Sequence, residues 1–188
     1  MRAFLALIPP PEAIADLDAF LEVRRTAAPL RWTDPEHFHV TLVFAADLPE
    51  SSLTDLEIRL ARFAARHPGF RTRVHGGGAF PNPATARVLW AGLDLSEAER
   101  QRMGRFSHDL RQVVTKSGIQ VSGGRFRAHI TIARTRPIEA TNWVRLLEGY
   151  SGPPWTADRI ALVQSHLGQG RLGRPRYDVL AEFDLKPG

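Results

Sequence analysis

Apolar and polar positions along this chain fall into two rhythms, one of period two and one near 3.6, that alternate from its first residues to its last. The opening run AFLALI stops at Pro9 and predicts a strand over about 2–8 rather than a cleaved leader, because the run is short and lacks a small-residue cleavage site. PEAIADLDAFLEVRR follows with apolar residues at 14, 17, 20 and 21 in helical spacing, and Pro11 suits its first turn. HFHVTLVF, residues 37–44, alternates strictly: Phe38, Val40, Leu42 and Phe44 face one way, and His37, His39, Thr41 and Val43 the other. A helix over about 50–66 is marked by the stripe Leu53, Leu56, Leu60 and Phe63. Strands at about 70–75 and 86–93 flank a Gly- and Pro-rich loop, and a helix over about 96–117 closes at Gly118. RFRAHITIAR, residues 125–134, alternates again. A helix over about 138–148 and strands over about 156–166 and 176–184 complete the pattern, the last two joined by GQGRLGRPR.

The order is strand, helix, strand, helix, strand in each half, with one further strand at the end. The halves also share a tetrapeptide. Residues 39–42 are HVTL and residues 129–132 are HITI, so His, apolar, Thr, apolar recurs 90 residues apart on two predicted strands. With 7 His and 11 Thr in 188 residues, only about 0.4 His-x-Thr triplets arise by composition alone, and fewer with flanking apolar residues. In both copies the His and Thr share one face and the apolar pair takes the other. The repeat also separates His39 from His37, since the position matching His37 is Arg127.

Two such strands packed about a pseudo-twofold axis would line one cleft with two imidazoles and two hydroxyls. A neutral imidazole accepts a proton and a protonated one gives it, so the pair suits general acid–base chemistry. Hydroxyls and arginines beside them suit a bound oxyanion. The constellation fits phosphoester hydrolysis without a metal. Strict alternation puts Arg125 and Arg127 on the face of His129 and Arg134 on the opposite face. Arg127 and Arg125 are therefore the expected phosphate contacts, with Arg134 either a further contact or a structural ion-pair partner.

Composition changes this picture little. The 25 basic residues are 23 Arg and 2 Lys, and the formal net charge of +5 permits an anionic partner without specifying one. No cysteine is present, which excludes disulfide and thiolate chemistry and makes a reducing cytoplasm the default expectation. No apolar run approaches the roughly 20 residues of a membrane span. His37 and His39 form an H-x-H pair that zinc could use, but no carboxylate or Cys cluster accompanies them, so neither metal nor cofactor is expected. His75 beside GGG reads as a loop residue, and Phe4, Phe44, Trp90 and Trp155 as core.

HVTL and HITIAR, with MRAFLALIPP at the start and AFPNPATARVLWAGL between them, resemble the two-histidine phosphoesterase superfamily over essentially the whole chain. Within it the resemblance is to the RNA 2′,3′-cyclic phosphodiesterase branch, also called 2′-5′ RNA ligases. The resemblance implies a single bilobal α+β domain over 1–188, two antiparallel sheets flanking a central cleft with helices outside. It implies metal-independent opening of a terminal RNA 2′,3′-cyclic phosphate to a 2′-phosphate; a cytoplasmic monomer is the accompanying expectation. His39 and His129 would be the acid–base pair, and Thr41 and Thr131 the phosphate-binding hydroxyls. The family commonly has proline before the second histidine; Ala128 stands there in this chain. The alternatives are a non-catalytic module that binds RNA ends, and a ligase or hydrolase acting on 2′-5′ linkages or small cyclic nucleotides.

Overall fold

The computed structural model describes residues 1–187. The chain runs β1 (Ala3–Leu7), α1 (Pro11–Arg25), β2 (Arg31–Trp32), β3 (Val40–Ala45), α2 (Leu53–Ala64), β4 (Phe70–Phe80) and β5 (Ala86–Leu93). It continues through α3 (Glu97–Lys116), β6 (Ile130–Ile138), α4 (Thr141–Glu148), β7 (Ser151–Ala157), β8 (Arg159–His166) and β9 (Arg176–Asp184). The strands follow the order β7-β4-β5-β6-β3-β1-β8-β9, with β2 beside β6, and every pairing between them is antiparallel. Two four-stranded halves, β7-β4-β5-β6 and β3-β1-β8-β9, thus meet where β3 touches β6, with Val40 opposite Ile130. Both junction residues directly follow the repeated histidines.

The helices cover one face and leave the other for a site. α1 and α4 pack on β4, with α1 also against β7 and α4 against β5, while α2 and α3 pack together, α2 against β9 and α3 against β3. α1 follows β1 yet covers the other half, and α3 follows β5 yet covers the half containing β3. Tyr150 fastens the first crossing by donating to Asp16 Oδ1 at 2.6 Å. A capping box begins α3: Ser96 accepts from the Glu99 amide and the Glu99 carboxylate accepts from the Ser96 amide. The main core takes Leu5 and Leu7 from β1, Leu17 and Leu21 from α1, and Met103, Phe106 and Leu110 from α3. A smaller apolar cluster on the opposite face holds Phe4, Ala6, Ala161 and Val163, with Phe44 and Tyr177 packed against it. β1 is therefore buried on both faces.

Both central strands break strict alternation at matching places. Val43 lies opposite Leu5 but Thr41 opposite Ala6, so Leu42 is an extra residue in β3. Ala133 lies opposite Leu89 but Thr131 opposite Trp90, so Ile132 is an extra residue in β6. These are β-bulges, in which two successive side chains stay on one face and the parity beyond them reverses. Leu42, Val43, Ile132 and Ala133 all join the helix-side core. Phe44 and Arg134 consequently return to the face of Thr41 and Thr131. The parity expected for Arg134 from the sequence is thereby corrected.

Other expectations shift with packing. β4 continues through GGG with an irregularity at His75–Gly76, where Gly76 takes φ +66°, so His75 lies within a strand rather than a loop. A Cβ on Gly78 would sit 2.3 Å from the Trp90 indole, and one on Gly77 would sit 2.7 Å from Leu147, so those glycines admit two large side chains. His37 ends a single 3-10 turn at Pro35–His37, and His39 stands just ahead of β3 rather than within a strand shared with His37. β7 and β8 divide what reads in the sequence as one strand. Among the described residues, no helix is long and apolar enough to cross a membrane.

Candidate active site

The two repeated histidines are anchored in the same way, one on each side of the junction. The Nδ1–H of His39 donates to the carbonyl of His37 at 2.7 Å, and the Nδ1–H of His129 donates to the carbonyl of Arg127 at 2.7 Å. A carbonyl only accepts, so Nδ1 carries the proton in both neutral rings and Nε2 is the free lone pair. In each case the carbonyl lies two residues earlier, at the end of the 3-10 turn for His39 and on the irregular segment that leads into β6 for His129. Thr41 and Thr131 follow on the same face, half-buried, cross-strand from Ala6 and Trp90.

Aromatic rings pack around both imidazoles. His39 stacks on Phe4 with centroids 4.6 Å apart, and Tyr177 meets both rings edge-on, 5.6 Å from His39 and 5.1 Å from Phe4. His129 meets Phe80 edge-on at 5.0 Å and Trp90 at 6.0 Å. Burial dominates the titration of His39 and pushes its pKa down to about 4, against the opposing hydrogen bond to the His37 carbonyl, with His37, His129 and Arg134 adding charge repulsion. The pKa of His129 is lowered too, first by burial and then, against the Arg127 carbonyl bond, by the Arg127 and Arg134 guanidiniums. Both rings are neutral near pH 7 in the unliganded protein.

The arginines separate by position. Arg134 exerts its field on both His39 and His129, which places it between the halves. It forms no ion pair with a carboxylate among the described residues, and the structural ion-pair reading of it has no partner there. Arg127 lies over the Trp90 ring at 4.7 Å, within the field of His129. Arg125 lines two adjoining hollows whose other wall comes from α3. Alternation in the sequence does not identify Phe4, Trp90 or Tyr177 as neighbours of the histidines. β1 is apolar throughout and shows no preferred face, and Tyr177 arrives from a strand remote in sequence. Arg2 is a further cation on this face, over the Phe44 ring at 4.3 Å and within the field of Tyr177.

A cavity of about 830 Å³ opens beside His129, lined by Phe80, Trp90, Arg100, Arg125, Phe126 and Arg127 among others. The combination of aromatic faces, guanidiniums and a basic Nε2 can hold a nucleoside next to a phosphate. Among the described residues, no three His, Cys, Asp or Glu side chains gather as metal ligands do, and His37 turns its ring to Tyr177 at 4.6 Å rather than pairing with His39.

Comparison with known proteins identifies the family and the fold. Residues 7–90 and 93–172 match the family described as LigT like Phosphoesterase. The RNA 2′,3′-cyclic phosphodiesterase of Thermus thermophilus is 34% identical, over 99% of this chain and 91% of that protein. The crystal structure of TT0787 from Thermus thermophilus superposes with a TM-score of 0.73 at 29% identity, covering 100% of this chain and 99% of that one. The Escherichia coli LigT structure complexed with 3′-AMP shares the fold, with a TM-score of 0.77 at 21% identity, covering 98% of this chain and 97% of that one.

Proposed function

Because the chain belongs to the LigT-like phosphoesterases, we propose that it hydrolyses RNA 2′,3′-cyclic phosphate ends to 2′-phosphates with His39 and His129 as its acid–base pair. The observation that carries this reading is the matched anchoring of the two imidazoles, each with Nδ1 held by a backbone carbonyl and Nε2 free. The name borne by the Thermus thermophilus relative supports the substrate class.

In this mechanism one neutral Nε2 takes a proton from water as the water oxygen attacks phosphorus. The bond between phosphorus and the ribose 3′-oxygen breaks, and the other imidazole, now protonated, gives its proton to that oxygen. The phosphate itself prepares the acid: an anion placed near both rings favours their protonated forms and offsets the depression caused by burial. Thr41 and Thr131 donate hydroxyls to the non-bridging oxygens. Arg134 and Arg127 neutralise charge there, with Arg125 farther along the RNA. No metal takes part. One copy of the chain carries the whole set, so the enzyme acts as a monomer, and a chain without cysteine suits the reducing cytoplasm. A module that only binds RNA ends needs no second proton-transfer group.

Incubation with an oligonucleotide ending in a 2′,3′-cyclic phosphate, in EDTA, followed by product identification, tests the reading. A 2′-phosphate product in chelator supports it. A 3′-phosphate product, or activity restored only by a metal, overturns it.

A further inference from the structure

The cavity beside His129 does not end at Arg125. It continues into a second hollow of about 380 Å³ between α3 and the segment 124–126, and the two share Arg100, Gly104, Arg125 and Phe126. Each volume lies within the roughly 300–1,000 Å³ of pockets that hold small ligands. The α3 side of the second hollow presents Arg100, Gly104, His108 and Arg111, spaced three or four residues apart and therefore on one helical face. The single acidic member of that wall, Glu97, is already bonded to Arg100 and Gln101.

Two details indicate an occupant. Gly104 lies inside a 20-residue helix, where glycine costs helix stability, yet a Cβ there would meet nothing within 4 Å. No neighbouring side chain explains it; the absent side chain simply widens the hollow. Arg111 reaches the Gly124 carbonyl with both terminal nitrogens, at 3.5 and 3.4 Å, while its Nε is buried without a partner. A cationic groove with a half-buried phenyl ring, Phe126, at its waist matches a nucleic-acid strand: guanidiniums for the backbone and a ring for a base.

We propose that this second hollow binds the penultimate nucleotide of a single-stranded RNA, and that the enzyme thereby discriminates RNA ends from cyclic mononucleotides. The inference rests on the proposed function for its chemistry. The terminal nucleoside fills the cavity beside His129, its 5′-phosphodiester passes Arg125, and the preceding base meets Phe126 above Gly104. The strand can leave in this direction because a terminal 2′,3′-cyclic phosphate is joined to the rest of the RNA only through the 5′-oxygen of its own ribose.

Gly104→Leu fills the hollow with a better helix former, so folding is preserved and a thermal melt verifies it. The readout is the ratio of kcat/KM for a pentanucleotide with a 2′,3′-cyclic end to kcat/KM for a 2′,3′-cyclic mononucleotide. The ratio is expected to fall about tenfold in Gly104→Leu, the scale of one lost base–aromatic stack. A ratio within twofold of wild type overturns the groove. If wild type hydrolyses neither substrate, the cyclic-phosphate reading fails by itself, and the groove is then judged by fluorescence anisotropy with a labelled pentanucleotide bearing a 3′-phosphate. Binding about tenfold weaker in Gly104→Leu supports the groove; equal binding overturns it.

Discussion

The buried hydroxyl of Ser107, on α3, donates to the carbonyl of Leu42 at 2.8 Å, and Leu42 is the extra residue of the β3 bulge. A bulge disrupts the ladder locally, so a carbonyl there needs a partner from elsewhere. The equivalent carbonyl in β6, that of Ile132, accepts from the Thr33 amide at 2.9 Å. Each His-x-Thr strand is thus braced one residue beyond its threonine. Ser107→Ala leaves the Leu42 carbonyl buried and unpaired and is expected to cost about 1–3 kcal/mol. Urea unfolding measures it; a loss below about 0.5 kcal/mol, the scale of an ordinary surface substitution, would show that the brace is dispensable.

Removing either imidazole is expected to lower turnover by roughly 10²-fold or more, the scale of general acid–base catalysis. His37→Ala is expected to change it little, because the group that holds His39 is the backbone carbonyl of residue 37, which the substitution keeps. Steady-state kinetics on a cyclic-ended oligonucleotide decides this. Near-wild-type turnover in His39→Ala or His129→Ala would defeat the paired mechanism.

Arg134→Ala is expected to raise KM about tenfold, the worth of a charge-assisted phosphate contact, and more than Arg125→Ala does. The same change has a second signature. Arg134 depresses the pKa of both histidines, so its loss raises both, and the acidic limb of kcat/KM moves to higher pH. An unmoved limb with a raised KM would leave Arg134 as a phosphate contact without influence on the pair.

Acid sensitivity follows from His39. Its pKa in the folded protein is about 4, below the roughly 6.5 of an unfolded histidine, so between these values the unfolded chain holds more protons. The stability associated with neutral His39 is complete above about pH 6.5 and is lost as pH falls towards 4. Thermal melts across this window should show a slope that His39→Gln flattens. Turnover should be bell-shaped in pH, with two apparent values belonging to the coupled pair. A rate that stays flat well above neutral pH would remove the protonated histidine from the mechanism.

The His-x-Thr repeat is legible because period-two alternation is local: residues 39–42 and 129–132 carry it themselves. The alternation fails one residue later, since a bulge is decided by registration against β1 and β5, which residues 42 and 132 do not encode alone. Arg134 therefore lands on the face opposite to the one that alternation assigns it. His75 reads as a loop residue in the sequence because Gly77 and Gly78 look like turn glycines, whereas they answer to Leu147 and Trp90. Phe4 and Trp90 resemble core residues by type and are buried, yet the rings against which they are buried are those of His39 and His129.

On the proposed function, the exchange of helices between the halves bears on how an RNA end is admitted. Widening the gap would peel α1 from β7 and α3 from β3, uncovering Leu17 and Leu21 on one and Phe106 and Leu110 on the other. Burial of side chains of that size is worth about 1.5–3 kcal/mol apiece, which makes the two halves poor jaws. If the proposed function holds, seams that resist opening leave little closure for substrate binding to drive, so the relative placement of His39 and His129 is set by folding rather than by the RNA.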